Sequence, residues 1–282
     1  MPLLITEQKY DYYSKFSYFC VMIKALFFDI DGTLVSFQTH KVPQSTVDAL
    51  VAAKERGVRV FISTGRPKVI INNLEALDNK NVIDGYVSMN GAYCFVGNMV
   101  IDRHCLPHSS VVTIANYIDR LNAPCIFVGE HDIRVYRPNK MVESIFYDYL
   151  HVDKMPVVTF AKAIEEDVFQ MTPFISVEQE AEILSQVQGC TGDRWHPAFT
   201  DITASGCDKR HGVELVANYF GYTNQEVMCF GDGGNDISMF QYAAIGVAMG
   251  NANDEVKAAA DFVTTTVDED GVRNALQHFN VI

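Results

Sequence analysis

Asp29 and Asp31 stand one residue apart in Ala25-Leu-Phe-Phe-Asp-Ile-Asp-Gly-Thr-Leu34, behind four apolar residues and just ahead of a glycine. Side chains at i and i+2 of an extended chain point the same way, so both carboxylates face one side. Like charges so placed repel unless a cation neutralises them or one holds a proton. The pair therefore asks for a divalent metal. An EF-hand loop starting at Asp29 needs Glu at its twelfth position, where this chain has His40. A second acidic stretch, Gly231-Asp232-Gly-Gly-Asn235-Asp236, also follows an apolar run. Hard cations such as Mg²⁺ take carboxylate and carbonyl oxygens, which this stretch offers. It has neither the Gly-Lys-Ser/Thr of a Walker loop nor the spacing of a dinucleotide fingerprint. In Ser63-Thr64-Gly65-Arg66 a hydroxyl and free backbone N–H groups precede a helix, which makes a cradle for a phosphate oxygen. Lys209 opens an apolar-periodic helix, where a lysine opposes the helix dipole unless an anion or carboxylate meets it. Asn251, in Met249-Gly-Asn-Ala252, offers a polar contact or, more readily, a turn.

The elements that hold these residues follow from periodicity. Short continuous apolar runs read as buried parallel strands, and open α/β sheets do their chemistry just beyond the carboxyl ends of such strands. Strands are expected at Lys24–Phe28, Val58–Ile62, near Tyr86–Ser88, and at Val227–Phe230, Ile245–Met249 and Phe262–Thr264. Between them, helices are expected at Pro43–Arg56, Pro67–Leu77, Asp208–Phe220, Asn253–Ala260 and Gly271–Phe279. Gly97-Asn98 reads as a hairpin turn. From His104 to Gln188 the texture changes: helical stretches (Ser110–Leu121, Met141–Tyr149, Glu178–Gln186) alternate with locally paired strands, Cys125–Val128 with Ile133–Tyr136. Ser176 and Gln179 form a capping box. This pattern predicts an antiparallel sheet with helices on one face. The fold class is thus α/β: a Rossmann-like parallel-sheet core over 22–103 and 189–282, with an inserted α/β module at 104–188. Residues 1–21 read as an extension outside the fold, with Met22 as an alternative start.

Bulk properties bound the function. A length of 282 residues suggests about two domains. The net charge of −13 speaks against a nucleic-acid partner, and an anionic substrate then needs a local cluster of cations. Seven cysteines without a Cys-x-x-Cys pair fit reduced thiols and a cytoplasmic setting. The apolar stretch Phe16–Phe28 is interrupted by Lys24 and runs into Asp29, so no membrane span is expected; Glu7 and Asp11 are foreign to a signal peptide.

In this order the four motifs resemble those of the haloacid dehalogenase superfamily of phosphotransferases. Asp-Ile-Asp-Gly-Thr-Leu34 resembles its first motif, Thr64 its second, Lys209 its third and Gly-Asp-Gly-Gly-Asn-Asp236 its fourth. The long insertion between Thr64 and Lys209 resembles the type IIB cap of the Cof-like hydrolases, bacterial sugar-phosphate phosphatases. Met89-Asn-Gly-Ala92 and Asp-Glu-Asp-Gly271 fit that subgroup. The resemblance implies a Mg²⁺-dependent phosphatase of small phosphomonoesters, hexose or pentose phosphates foremost. In it Asp29 is the nucleophile that forms an aspartyl-phosphate, and Asp31 the general acid and base. Thr64, Gly65, Lys209 and Asn235 bind the phosphoryl group. Asp29, the carbonyl of Asp31, Asp232 and, in or near the shell, Asp236 bind the metal. Glu130, His131, Asp132 and Arg134, on a polar turn of the cap, are candidates to face the leaving group. A sugar phosphomutase keeps all four motifs and is the alternative. A phospho-accepting signalling module is shorter and has no cap.

Overall fold

The computed structural model describes residues 22–150 and 152–282; the expected extension over 1–21 lies outside them. Strand β1, Ala25–Phe28, is wholly buried, and its residues alternate between two cores. Leu26 and Phe28 join the cluster under helices Gln44–Glu55 and Gly271–His278. Ala25 and Phe27 join the one under Lys209–Tyr219 and Ile237–Tyr242. That period of two, apolar on both sides, is what a central strand covered by helices on each face requires. Phe28 stacks on Phe230 at 4.5 Å and Phe27 on Phe61 at 4.8 Å. Truncating either buried ring to alanine costs about 3–5 kcal/mol.

Strands β2 (Arg59–Ser63), β3 (Gly85–Ser88), β4 (Tyr93–Val96) and β5 (Met99–Arg103) extend the sheet to one side of β1. Its remaining members are β11 (Val227–Gly231), β12 (Ile245–Ala248) and β13 (Phe262–Val263), in the order β13-β12-β11-β1-β2-β3-β4-β5. Pairing is parallel from β13 to β3, and β4 and β5 add an antiparallel hairpin turned at Gly97, whose φ of +56° suits glycine. A second, antiparallel sheet has the order β7-β6-β8-β10-β9. It is built from β6 (Cys125–Val128), β7 (Ile133–Tyr136), β8 (Gln170–Pro173), β9 (Cys190–His196) and β10 (Phe199–Ala204). One face packs on helices His108–Leu121 and Val177–Leu184, and Ser176 and Gln179 cap the latter in the expected box. The other face turns Ile126, Val128 and Phe199 towards Met89, Ala92 and Phe95 beside the first sheet.

Two expectations need correction. The chain at Cys190–Ala204 pairs into the second sheet and not the first, so that sheet runs well past residue 188. Phe199–Ala204 reads Phe-Thr-Asp-Ile-Thr-Ala, with polar residues among the apolar ones, and only its antiparallel pairing shows which sheet it joins. Pro67–Leu77 is no continuous helix: a 3₁₀ turn at Lys68–Ile70 and a short helix at Glu75–Asp78 flank extended backbone at Ile71. The break falls just before Asn72-Asn73, and asparagine has a low helix propensity. The helical stretch expected at Met141–Tyr149 is present, as a short α turn, Lys140–Val142, that runs on into a π-helix over Glu143–Tyr149. Among the described residues no helix is long and apolar enough to cross a membrane.

Candidate active site

The carboxyl ends of β1, β2 and β11 meet at one edge of the first sheet. β1 hands over to Asp29 and then to Gly32, whose φ is +83°. A Cβ there would sit 2.2 Å from Asp232 Oδ2, so only glycine lets the first and fourth motifs close on each other. Thr33 Oγ1 donates to Asp232 Oδ1 at 2.9 Å. Asn251 does more than turn the chain: its Nδ2 donates to Asp232 Oδ2 at 3.2 Å and to the carbonyl of Gly32 at 2.9 Å.

Lys209 is the hinge of the electrostatics. Its side chain is 0% exposed, and Nζ lies 2.6 Å from both Asp29 Oδ1 and Asp236 Oδ1. Burial alone lowers a lysine pKa, but Asp236 and Asp29 outweigh it and hold the ammonium above the ordinary lysine range. Here the carboxylates that a lysine at a helix start asks for are both present. Asp236 Oδ2 accepts from the backbone N–H groups of Asp232 and Gly233, each at 2.9 Å. Both of its oxygens are therefore taken by protein donors. One lysine does not balance the crowd. Burial first, then the neighbouring acids, raises Asp29 to about 7 despite Lys209, and Asp232 to about 8. Asp29, Asp232 and Asp236 each offer an oxygen within 4.8 Å of the others. An all-oxygen set with surplus negative charge fits a hard divalent cation.

The remaining expected residues converge on the same edge. Thr64, 2% exposed, accepts at Oγ1 from the N–H of Arg66 at 3.0 Å. Gly65 lies against the amide of Asn90, a buried residue with φ of +50°. Asn235 Nδ2 donates to Asn90 Oδ1 at 3.1 Å, and Asn90 Nδ2 in turn reaches Asp193 Oδ2 at 3.4 Å. Asp31 faces Arg66: Nε and Nη2 of the guanidinium meet its two oxygens at 2.7 and 2.8 Å. This fork was not anticipated, although Arg66 follows directly on the second motif.

Above the edge lies a cavity of about 360 Å³. Its floor is Asp29, Asp31, Thr64, Gly65, Arg66, Asp232 and Asn235. Its roof comes from the second sheet and the π-helix, with Ile126, Phe146 and Leu150 among its apolar members and Gln170, Thr172, His196 and Asp201 as its polar ones. Thr172 Oγ1 donates to Asp201 Oδ1 at 2.6 Å, while Gln170 Oε1 is buried without a hydrogen-bond partner. None of the roof's polar residues was foreseen. The four that were do not line the cavity. Arg134, 3% exposed, is spent on Asp132, at 2.6 and 2.7 Å, and on the carbonyl of Ala163. Glu130 accepts from Tyr93 and pairs with Arg103. His131 stands 84% exposed at the tip of the turn.

Comparison with known proteins agrees with this geometry. The sequence profile of the haloacid dehalogenase-like hydrolases matches residues 26–276. The solved structure of a HAD subclass IIB sugar phosphatase superposes with a TM-score of 0.88 at 55% identity, covering 92% of this chain and all of that one. A phosphatase of the same superfamily from Bacteroides thetaiotaomicron gives 0.84 at 33% identity over the full length of both. YkrA of Bacillus subtilis, provisionally named a phosphatase, is 31% identical over 265 residues, 92% of this chain and 98% of its own. The chain belongs to the haloacid dehalogenase-like hydrolase family and is a phosphatase within it.

Proposed function

We propose that the protein is a Mg²⁺-dependent phosphatase of small phosphorylated metabolites, chiefly hexose or pentose phosphates, acting through an aspartyl-phosphate. The observation that carries this reading is Asp29 at the floor of a cleft between the two sheets, its carboxylate held by Lys209 beside surplus acids. Asp29 attacks phosphorus, and the bond to the leaving oxygen breaks as that oxygen takes a proton from Asp31. Asp31 then takes a proton from water, which displaces Asp29 and releases inorganic phosphate. Both oxygens of Asp31 are occupied by Arg66 in this structure, so the fork must open before either can carry a proton. Lys209, Thr64, the Gly65 backbone and Asn235 meet the equatorial oxygens as charge develops. Asp29, Asp232 and the carbonyl of Asp31 would hold Mg²⁺; with both oxygens engaged, Asp236 acts as a positioning residue for Lys209 and the fourth-motif loop. When bound, the metal shields Asp29 from its anionic target and polarises the phosphoryl group.

The cavity's volume supports a small leaving group, since it lies at the low end of the roughly 300–1,000 Å³ range of small-molecule pockets. The unpartnered Gln170 Oε1 supports one that donates hydroxyls. Cysteines 94, 105, 125, 190, 207 and 229 carry free thiols, consistent with a reducing, cytoplasmic compartment. The test is phosphate release from a panel of sugar phosphates, nucleotides and phosphopeptides in Mg²⁺. Sugar phosphates should give the highest kcat/KM. A nucleotide or phosphopeptide better by more than tenfold would refute the substrate class, and an isomerised sugar phosphate without free phosphate would identify a mutase.

A further inference from the structure

Away from the cavity, Asp102, His104 and His211 bring three ligand atoms within 4.8 Å of one another. Asp102 and His104 stand at the end of β5, where the chain leaves the first sheet for the second. His211 lies in the first turn of helix Lys209–Tyr219, where the chain has returned. His104 Nε2 is 2.8 Å and His211 Nε2 3.4 Å from the same oxygen, Asp102 Oδ2. Yet Asp102 Oδ2 and His211 Nε2 are shut off from solvent and neither makes an aligned hydrogen bond. Buried polar atoms normally find a partner, so two left without one beside a third ligand atom point to a shared partner between them. Among the described residues the two imidazoles are the only ion-pair partners of Asp102.

Distances and chemistry select the class of ion. Bonds of about 2.0–2.1 Å in a tetrahedral zinc site put neighbouring ligand atoms roughly 3.3 Å apart. The observed 2.8 and 3.4 Å bracket that spacing, so small rotations of the rings suffice. The rings meet edge to face at 5.6 Å rather than stacking. Two imidazoles and one carboxylate suit Zn²⁺, Co²⁺ or Ni²⁺, whereas Mg²⁺ prefers the oxygens of the active-site cavity. The cluster lies near the surface, with the side chains of Asp102, His104 and His211 24%, 47% and 35% exposed, but Asp102 Oδ2 and His211 Nε2 are themselves covered, so an ion reaches them only as the rings turn. We infer that Asp102, His104 and His211 form a second, transition-metal site that takes Zn²⁺ or a similar borderline divalent ion. An ion there ties the chain entering the second sheet to the helix that carries Lys209.

The test is titration of Zn²⁺ into the full-length protein in saturating Mg²⁺, followed by calorimetry and, with Co²⁺, by visible absorption. The wild type and Asp232→Asn should each retain one equivalent bound at this site. His104→Ala and His211→Ala should weaken that equivalent by at least about tenfold. Far-UV circular dichroism of both variants, and unchanged Mg²⁺-supported phosphatase turnover in His104→Ala, would show that folding is not the cause. A wild type that binds no Zn²⁺, an equivalent unaltered in both histidine variants, or loss of all Zn²⁺ binding in Asp232→Asn would overturn the proposal.

Discussion

The floor and the roof of the cavity solve different problems with different backbones. The floor is built where parallel strands end, each side chain set by a glycine turn or a helix start, and nearly every polar atom is committed: Lys209 to two carboxylates, Asp236 to three donors, Asp31 to Arg66. The roof hangs from antiparallel strands and a π-helix, is mostly apolar, and leaves Gln170 Oε1 without a partner. A committed network fixes reacting groups in place, while a sparse polar surface discriminates among leaving groups at little cost to the chemistry. The floor should thus govern rate and stability, and the roof selectivity.

The severest challenge to that division is Asp29→Asn. The amide cannot act as nucleophile, so turnover should fall on the order of 10⁴-fold for every substrate alike. Removing one of several crowded acids should leave the melting temperature of the metal-free protein no lower. Retention of more than a few per cent of turnover, measured by phosphate release, would show that the floor does not form a covalent intermediate. Lys209→Met strips the charge from a buried network and leaves Asp29 and Asp236 uncompensated. Loss of one partner from such a pair costs about 3–5 kcal/mol, readable in urea unfolding; a loss under about 1 kcal/mol would mean that the network is not what holds the edge together.

Metal removal sharpens the same contrast. Asp29 at about 7 and Asp232 at about 8 lie above the ordinary carboxylate range. The native metal-free protein therefore binds more protons than the unfolded chain and loses stability as pH rises from about 4 to 8. Mg²⁺ should restore more stability at pH 8 than at pH 5, about 2.7 kcal/mol at a hundred times its Kd. Calorimetric melting with EDTA and with Mg²⁺ checks this, and an equal shift at both pH values would contradict it. EDTA should also abolish turnover reversibly. The mildest effect belongs to the roof. Gln170→Leu should lower kcat/KM for sugar phosphates about tenfold and spare a small aryl phosphate, while His131→Ala should alter neither. If His131→Ala reordered the sugars, the polar turn would be part of the roof after all.

The floor was legible in the sequence because each of its parts is a contiguous signal: an apolar run, a glycine, and acids or a hydroxyl within a few residues. Arg66 and Asn251 lay inside stretches already singled out, and only their partners were hidden, because the Asp31 fork and the Asp232 contact cross between loops. The roof was not legible. Gln170, Thr172, His196 and Asp201 are single residues on β8, β9 and β10, and which way each faces depends on a register that local pattern leaves open. The polar turn at Glu130–Arg134 misled because charge was taken for exposure to ligand. A short-range ion pair instead buries Arg134 against the carbonyl of Ala163. The end of the inserted sheet was missed for a related reason: β10 mixes Thr200, Asp201 and Thr203 with three apolar residues, and nothing local says which sheet it joins.

The pairing of β1 with β11 has a consequence for synthesis. Ala25 finds Val227 only after the whole second sheet has been made. At about 5–20 residues per second, β1 waits roughly 10–40 s on the ribosome with one edge open. That edge belongs to Ala-Leu-Phe-Phe, a short apolar β-prone run. β2 covers its other side early, but closing so long a loop is slow and costly in chain entropy. The nascent chain therefore passes through a state whose most adhesive strand is also the one that leads into Asp29. Yield during rapid expression should be set by chaperone supply and translation rate more than by the stability of the finished enzyme.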